Sequence, residues 1–381
     1  MTGPALGIDI GTTHTVAALG GAGGRGQPLL FDASFLLPSA VYADMDGRLL
    51  VGRDAERSAR LDPMRFEPNP KRRVDEGTVL LGPRAYPVAD LLAALLRRVG
   101  DEAARVAGAL PARTVLTFPA NWAGSRRGIL VEAAERAGLP AVALVPEPVA
   151  AAFYFTAVAG HAVPPGGCLV VYDFGGGTFD TSVLRRRPDH GWEVLASDGI
   201  YDLGGVDLDA AIVEHLGRTL GTRDAALWHR LREPADDATR RRLLLLQEEA
   251  RAAKEQLSRS SSAAIPVPLF DLDVVLTREE FEQLARPYLQ RTVDLTAATL
   301  QRAGVRADQV RGLFLVGGSS RVPLASTLLH QRLGLAPTVI EQPELVVALG
   351  SLLAAAPAPE AGIPGTAAQV SGLPYAVSPA P

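Results

Sequence analysis

Residues 5–19 read ALGIDIGTTHTVAAL, and residues 167–184 read GCLVVYDFGGGTFDTSVL. In each, an apolar run ends at an aspartate, a turn rich in glycine and threonine follows, and a second apolar run returns. The spacing predicts strand, tight turn, strand, twice over. Such a duplication implies two similar lobes facing each other, with the cleft between them as the natural ligand site. A glycine turn immediately after a strand exposes successive backbone N–H groups, and neighbouring threonine hydroxyls add donors. Gly11, Thr12 and Thr13 in the first turn and Gly175, Gly176 and Gly177 in the second are therefore candidates to grip phosphate oxygens. Two such turns could clamp one triphosphate. Asp9 and Asp173, at the strand ends, are candidates to hold Mg²⁺ through its waters, because that ion prefers oxygen ligands and gives up water reluctantly. No GK dipeptide occurs, which excludes the lysine-bearing P-loop, and neither turn has the G-x-G-x-x-G dinucleotide spacing.

The rest of the chain alternates strand and helix. The run VADLLAALLRRVGDEAARVAG (88–108) has amphipathic helical spacing, TVLTFPA (114–120) reads as a buried strand, SRRGILVEAAERAG (125–138) as a helix and AVALVPEP (141–148) as a strand. A buried helix is expected over 149–163. Residues 32–86 mix short strands with Pro-rich loops. Residues 205–288 are helical and charged, with two short strands at AAIPVPL (263–269) and LDVVLT (272–277). Thr277, with Glu280 three residues on, predicts a capping box at the next helix. The expected fold is α/β and two-lobed, each lobe a mixed sheet flanked by helices. Lobe I covers 1–165 with an insertion at about 32–86, and lobe II covers 166–356 with an insertion at about 205–288. Residues 357–381, with Pro, Gly and Ala but almost no charge, are expected to be a disordered tail.

With 47% hydrophobic and 21% charged residues the composition is that of a globular chain. A net charge of −4 offers no broad positive field, so nucleic acid is not an expected partner. The single cysteine, Cys168, cannot form an internal disulfide and lies in an apolar strand, in keeping with a reducing compartment. The N-terminus lacks the basic-then-apolar order of a secretory signal, and the apolar stretch at 149–163 is too short to span a bilayer. These features point to the cytoplasm, with no membrane span.

Five motifs resemble the nucleotide-binding domain of DnaK-type heat-shock chaperones, within the actin and sugar-kinase superfamily. GIDIGTTHT (7–15) is similar to that family's first phosphate motif, VYDFGGGTFD (171–180) to its second and LVGGSSRVP (315–323) to its adenosine motif. VPEPVAAA (145–152) and PELVVALGS (343–351) resemble its two connecting helices. The resemblance spans roughly residues 5–355. It implies the actin-like ATPase fold, ATP or ADP with Mg²⁺ as ligands, and slow hydrolysis with lobe closure as the output. By that resemblance Thr12 and Thr13 contact phosphate, Thr178 lies near the γ-phosphate, and Glu147 and Asp180 order water. Gly204 and Gly205 border the phosphates, while Gly317, Gly318, Ser319, Arg321 and Glu344 surround the adenosine. Only two lysines occur in 381 residues. Lys71 matches the family's catalytic lysine, and Lys254 a lysine of its adenosine-binding helix.

In that helix Arg251, Lys254, Glu255 and Ser258 share one face at i, i+3, i+4, i+7 spacing. The bland reading is a solvated face held by an Arg251–Glu255 pair. Against the family pattern the two charges are exchanged, which suggests Arg251 stacking on the base and Glu255 bonding the ribose. His14 stands at a commonly aromatic position, where a structural hydrogen bond is expected. Trp122, Trp192 and Trp228 read as packing residues. Neither an acidic-leucine linker nor a β-rich substrate domain is legible after residue 356, so the expected output is on a separate protein partner or co-chaperone. Two alternatives stand beside the ATPase: a nucleotide-sensing module without useful turnover, and a small-molecule kinase of the same superfamily.

Overall fold

The computed structural model describes residues 4–20 and 26–355. The duplication seen in the sequence is a duplication of topology. The first sheet runs Val142–Pro146, Arg113–Phe118, Ala5–Ile10, His14–Gly20, Gly26–Pro28, with the short Leu37–Pro38 also paired to His14–Gly20. The second runs Trp192–Ile200, Phe179–Arg186, Cys168–Phe174, Val310–Val316, Pro337–Thr338. In both, the strand that ends near the glycine turn sits centrally. It pairs antiparallel with its hairpin partner and parallel with a strand from much later in the chain. The central strands are buried on both faces, which is why they read as continuous apolar runs and not as alternations.

Hairpin register makes the two turns equivalent residue by residue. Asp9 pairs with Val16 and Ile10 with Thr15, while Asp173 pairs with Asp180 and Phe174 with Phe179. Four residues close each turn, so His14 in the first repeat stands where Thr178 stands in the second.

Helices Val88–Ala107 and Gly124–Arg136 pack on the first sheet. The former buries Leu91, Leu92, Leu95, Leu96 and Val99 along one stripe and ends at Gly108, whose φ of 79° is the left-handed stop that glycine adopts without strain. Two further helices exchange sides. Glu147–Ala157 follows a strand of the first sheet but packs against the second, whereas Val346–Ala354 follows the second and packs on Ala5 and Ala18 of the first through Leu352. They cross in contact at Gly350, where a Cβ would collide with the Ala150 carbonyl. Around the crossing lies a core common to both sheets, including Phe155 stacked on Phe314 with ring centroids 3.6 Å apart.

The segment 32–86 forms a three-stranded sheet of Leu49–Val51, Val41–Ala43 and Phe66–Glu67, a hairpin Thr78–Leu81/Arg84–Pro87, and a helix, Arg53–Ala59. That helix has no counterpart among the sequence expectations. It begins at Gly52, with φ 67° and no side-chain cap, so the usual start signal is missing. The segment 205–288 supplies helices Gly205–Arg223, Ala225–Arg232 and Asp237–Leu257 and the hairpin Ser262–Val267/Leu272–Thr277. The capping box of Thr277 and Glu280 opens helix Arg278–Arg302, as the spacing predicts. The helix expected over 149–163 begins earlier, with Glu147, and stops at Ala157. The tail expected over 357–381 lies outside the described residues. Among the described residues no helix is long and apolar enough to cross a membrane.

Candidate active site

The two glycine turns touch. A Cβ on Gly176 would overlap the side chain of Thr13, and one on Gly177 would overlap that of Thr12. Glycine is needed here because the opposite turn fills the space a side chain would take. Around this junction opens a cavity of about 570 Å³. Gly11, Thr12 and Thr13 line it from one side and Gly175, Gly176 and Thr178 from the other. Gly177, Gly204 and Gly205 stand one layer back. A Cβ on Gly204 would meet the Gly177 backbone at 2.5 Å, and the N–H groups of Gly205 and Val206 donate to the carbonyls of Gly175 and Gly176 at 3.0 and 2.8 Å. Helix Gly205–Arg223 thus starts against the second turn and braces it.

At the base of the cavity are Asp9, Glu147, Asp173, Asp180 and Lys71. Lys71 is buried, and its Nζ donates to Glu147 Oε1 at 2.9 Å. Burial works against its charge, but Glu147, Asp9 and Asp180 together more than offset this and raise its pKa. The carboxylates pay the opposite cost. Burial first, then the field of Glu147, raises Asp9 to about 6 and Asp180 to about 7. Asp173 is pushed well above the usual carboxylate range by burial and by Glu147, Asp180 and Asp9. Thr117 Oγ1 donates to Asp9 Oδ1 at 2.8 Å, and Asn121 Nδ2 to Asp180 Oδ1 at 3.0 Å. Neither partner was among the sequence candidates. Each comes from the strand Arg113–Phe118 or the loop just after it, a segment whose apolar pattern announces only a buried strand.

The other end of the cavity is lined by Arg251, Lys254, Glu255 and Ser258 from helix Asp237–Leu257 and its cap, and by Gly317, Gly318, Ser319, Arg321 and Glu344. The one-face spacing is realised. Lys254 is buried, its Nζ donating to the Gly205 carbonyl at 2.8 Å and lying 2.8 Å from Asp209 Oδ1. That ion pair lies off the line of a good hydrogen bond, which leaves Asp209 Oδ1 without a well-aligned donor. Asp209, one turn into helix Gly205–Arg223, is a further residue that sequence spacing did not single out. Arg321 Nη2 bonds both carboxylate oxygens of Glu344 at 2.9 Å. Arg251 reaches Glu255 at 3.2 Å and also crosses to His14, with Nη2 3.0 Å from Nε2. Burial, then Arg251 and Lys254, lowers His14 to about 3, so the ring is neutral and Nε2 is the acceptor.

Comparison with known proteins gives this geometry a family. A family model described as Hsp70 protein matches residues 76–360. The chain belongs to the Hsp70 family. It is 35% identical over 380 residues to a chaperone protein HscA homolog of Bordetella petrii, covering 92% of this chain and 57% of that protein. Identity to chaperone protein HscA of Pectobacterium carotovorum is 33% over 381 residues, and to that of Escherichia coli 32% over 374, each covering 92% of this chain and 58% of the relative. The chain therefore spans less than two thirds of the length of these curated relatives. Hsp70 proteins are chaperone ATPases, and the paired sheets with crossing helices are the family's actin-like, two-lobed fold.

In an Hsp70 site the divalent cation is Mg²⁺, and the donor set fits it. Four buried or half-buried carboxylates face a single lysine, and Asp9, Asp173 and Asp180 are raised first by burial and then by Glu147's and one another's negative charge, which Lys71 alone does not balance. Among the described residues no three His, Cys, Asp or Glu groups converge to cage a metal directly. Hard oxygens set back from one another suit an ion that keeps its waters and takes its remaining ligands from substrate phosphates.

Proposed function

We propose that this chain binds Mg-ATP between its lobes and slowly hydrolyses it to ADP and phosphate, nucleotide state setting lobe closure. One observation carries the reading. Two phosphate-type turns from separate lobes abut glycine against threonine, directly above the buried Lys71–Glu147 pair. The turn N–H groups and the hydroxyls of Thr12, Thr13 and Thr178 would hold the phosphates, and Arg251, Lys254, Glu255, Ser258 and Arg321 the nucleoside. Mg²⁺, held through water by Asp9 and Asp173, would neutralise phosphate charge. Glu147 and Asp180 order the attacking water, whose oxygen bonds to the γ-phosphorus as the bond to the β-bridging oxygen breaks. The electron pair leaves on ADP, and the water's proton passes to solvent by way of a carboxylate. Lys71 stabilises charge on the γ-phosphoryl oxygens, so catalysis is positioning plus electrostatics.

The chain's output on this reading is recognition of a separate protein partner or co-chaperone in the cytoplasm, in keeping with relatives named as chaperones. A second reading, a nucleotide sensor without useful turnover, draws on Arg251, which is bound to His14 and Glu255 where the family pattern has an acidic residue. Single-turnover hydrolysis of Mg-ATP by the purified chain separates the two. The ATPase reading expects ADP to form in one exponential phase with Mg²⁺. Tight binding with no ADP formed leaves the sensor.

A further inference from the structure

Beyond Lys71 lies a second cavity of about 90 Å³. The side chains of Thr12, Lys71, Thr178 and Asp180 face both it and the main cleft. Its remaining wall includes Arg72, Asp75, Trp122, Arg126 and Tyr201. Two guanidinium groups thus stand directly behind the place where the proposed reaction leaves its smaller product. Arg72 makes no ion pair among the described residues; its Nη2 donates to the Tyr201 carbonyl across a long 3.3 Å. Arg126 is clamped to Asp75 through two bonds of 2.9 and 2.6 Å, and its guanidinium lies 5.1 Å from the Tyr201 ring centre and 5.9 Å from that of Trp122. Tyr201 follows the edge strand Trp192–Ile200 of the second sheet, whereas Arg72 and Arg126 belong to the first half of the chain. The rim is therefore built from both lobes, and its cross-lobe contacts are weak ones.

We propose that this cavity is a site for inorganic phosphate on its way out, Arg72 and Arg126 receiving the anion while ADP still fills the main cleft. The inference rests on the ATPase reading. Once the γ-phosphoryl group has become free phosphate, ADP blocks the cleft's wide mouth, and the shared wall of Thr12, Lys71, Thr178 and Asp180 is the other boundary of the reaction chamber. Arginine suits the task because its planar fork takes two phosphate oxygens at once.

The test is equilibrium dialysis of radiolabelled orthophosphate against the full chain saturated with Mg-ADP. The parent is expected to bind phosphate with ADP in place. Arg126→Ala should weaken that binding by about tenfold, Arg126→Lys by about threefold or less, and Arg126→Glu more than Ala, a charge-graded series that a packing role would not produce. Affinity for ADP, measured in the same samples, should stay within about twofold across the series, which also shows that the variants fold. Phosphate excluded by ADP, no phosphate bound by the parent, or binding indifferent to the charge at position 126 overturns the proposal. Failure of the parent to bind ADP strikes the underlying ATPase reading instead.

Discussion

Arg251 spans the cleft to His14, the residue that occupies in the first turn the position Thr178 occupies in the second. The pseudo-symmetric turns are thus given different work. Thr178 presents a hydroxyl to the cavity, while His14 presents a neutral ring nitrogen that ties down a guanidinium from the opposite lobe. On the ATPase reading Arg251 bears on the base, which ATP and ADP share. Arg251→Ala is expected to weaken both nucleotides alike, by about 1 kcal/mol if the contact is stacking. Calorimetry with ADP checks this, and an unchanged affinity leaves Arg251 as a lobe-to-lobe tether only.

On the ATPase reading each lobe contributes one strand-end aspartate to the hydrated cation, which makes a paired prediction. Asp9→Asn and Asp173→Asn should each weaken Mg²⁺-dependent ATP binding or turnover. Titrating Mg²⁺ at fixed ATP reads this directly. Normal Mg²⁺-dependent turnover in both variants would sink the two-sided arrangement.

Lys71→Arg separates charge from shape. A unit charge about 4 Å from a phosphate oxygen contributes roughly 4 kcal/mol at an effective dielectric near 20, and arginine keeps most of that. It cannot keep a compact ammonium 2.9 Å from Glu147 in a buried slot beside the Trp122 ring. ATP binding should hold within a few-fold while single-turnover hydrolysis falls about tenfold or more, at least ~1.4 kcal/mol of transition-state stabilisation. Hydrolysis at the parent rate would remove Lys71 from the chemistry.

Asp180 predicts a pH effect on the nucleotide-free protein. Its carboxyl is raised from 3.8 to about 7, chiefly by burial and then by Glu147. A raised folded-state pKa means stability fully present below about pH 4 and lost as pH climbs through about 7. Asp180→Asn should therefore stabilise the metal-free chain at pH 8, on the order of 2 kcal/mol, and do little at pH 4. Denaturant melts at the two pH values measure it. An equal effect at both would mean that titration of this carboxyl does not govern stability.

Much of the fold was legible because both hairpins carry their own signal, an apolar strand followed by glycines with threonine. The capping box at Thr277 was legible for the same local reason. The site was legible where a residue type is rare or a spacing is helical, as with Lys71 and the Arg251, Lys254, Glu255, Ser258 face. Thr117, Asn121 and Asp209 were not, because each acts through a partner brought close only by the fold, and none stands out from its neighbours in the chain. His14 was expected to form a structural hydrogen bond; that its partner is Arg251, 237 residues away, follows only from the fold bringing helix Asp237–Leu257 to the first turn.

At Gly350 the two side-exchanging helices meet backbone to backbone, with no side chain to act as a spacer. The contact between these helices is broad, with side chains of both in the shared core, and position 350 is where their backbones come closest. If nucleotide state sets lobe closure as proposed, the lobes would turn about this crossing. A methyl group at position 350 would wedge the crossing apart over the Ala150 carbonyl, and the injury would be felt at the far end of the lever, where the glycine turns must touch to within the width of a threonine.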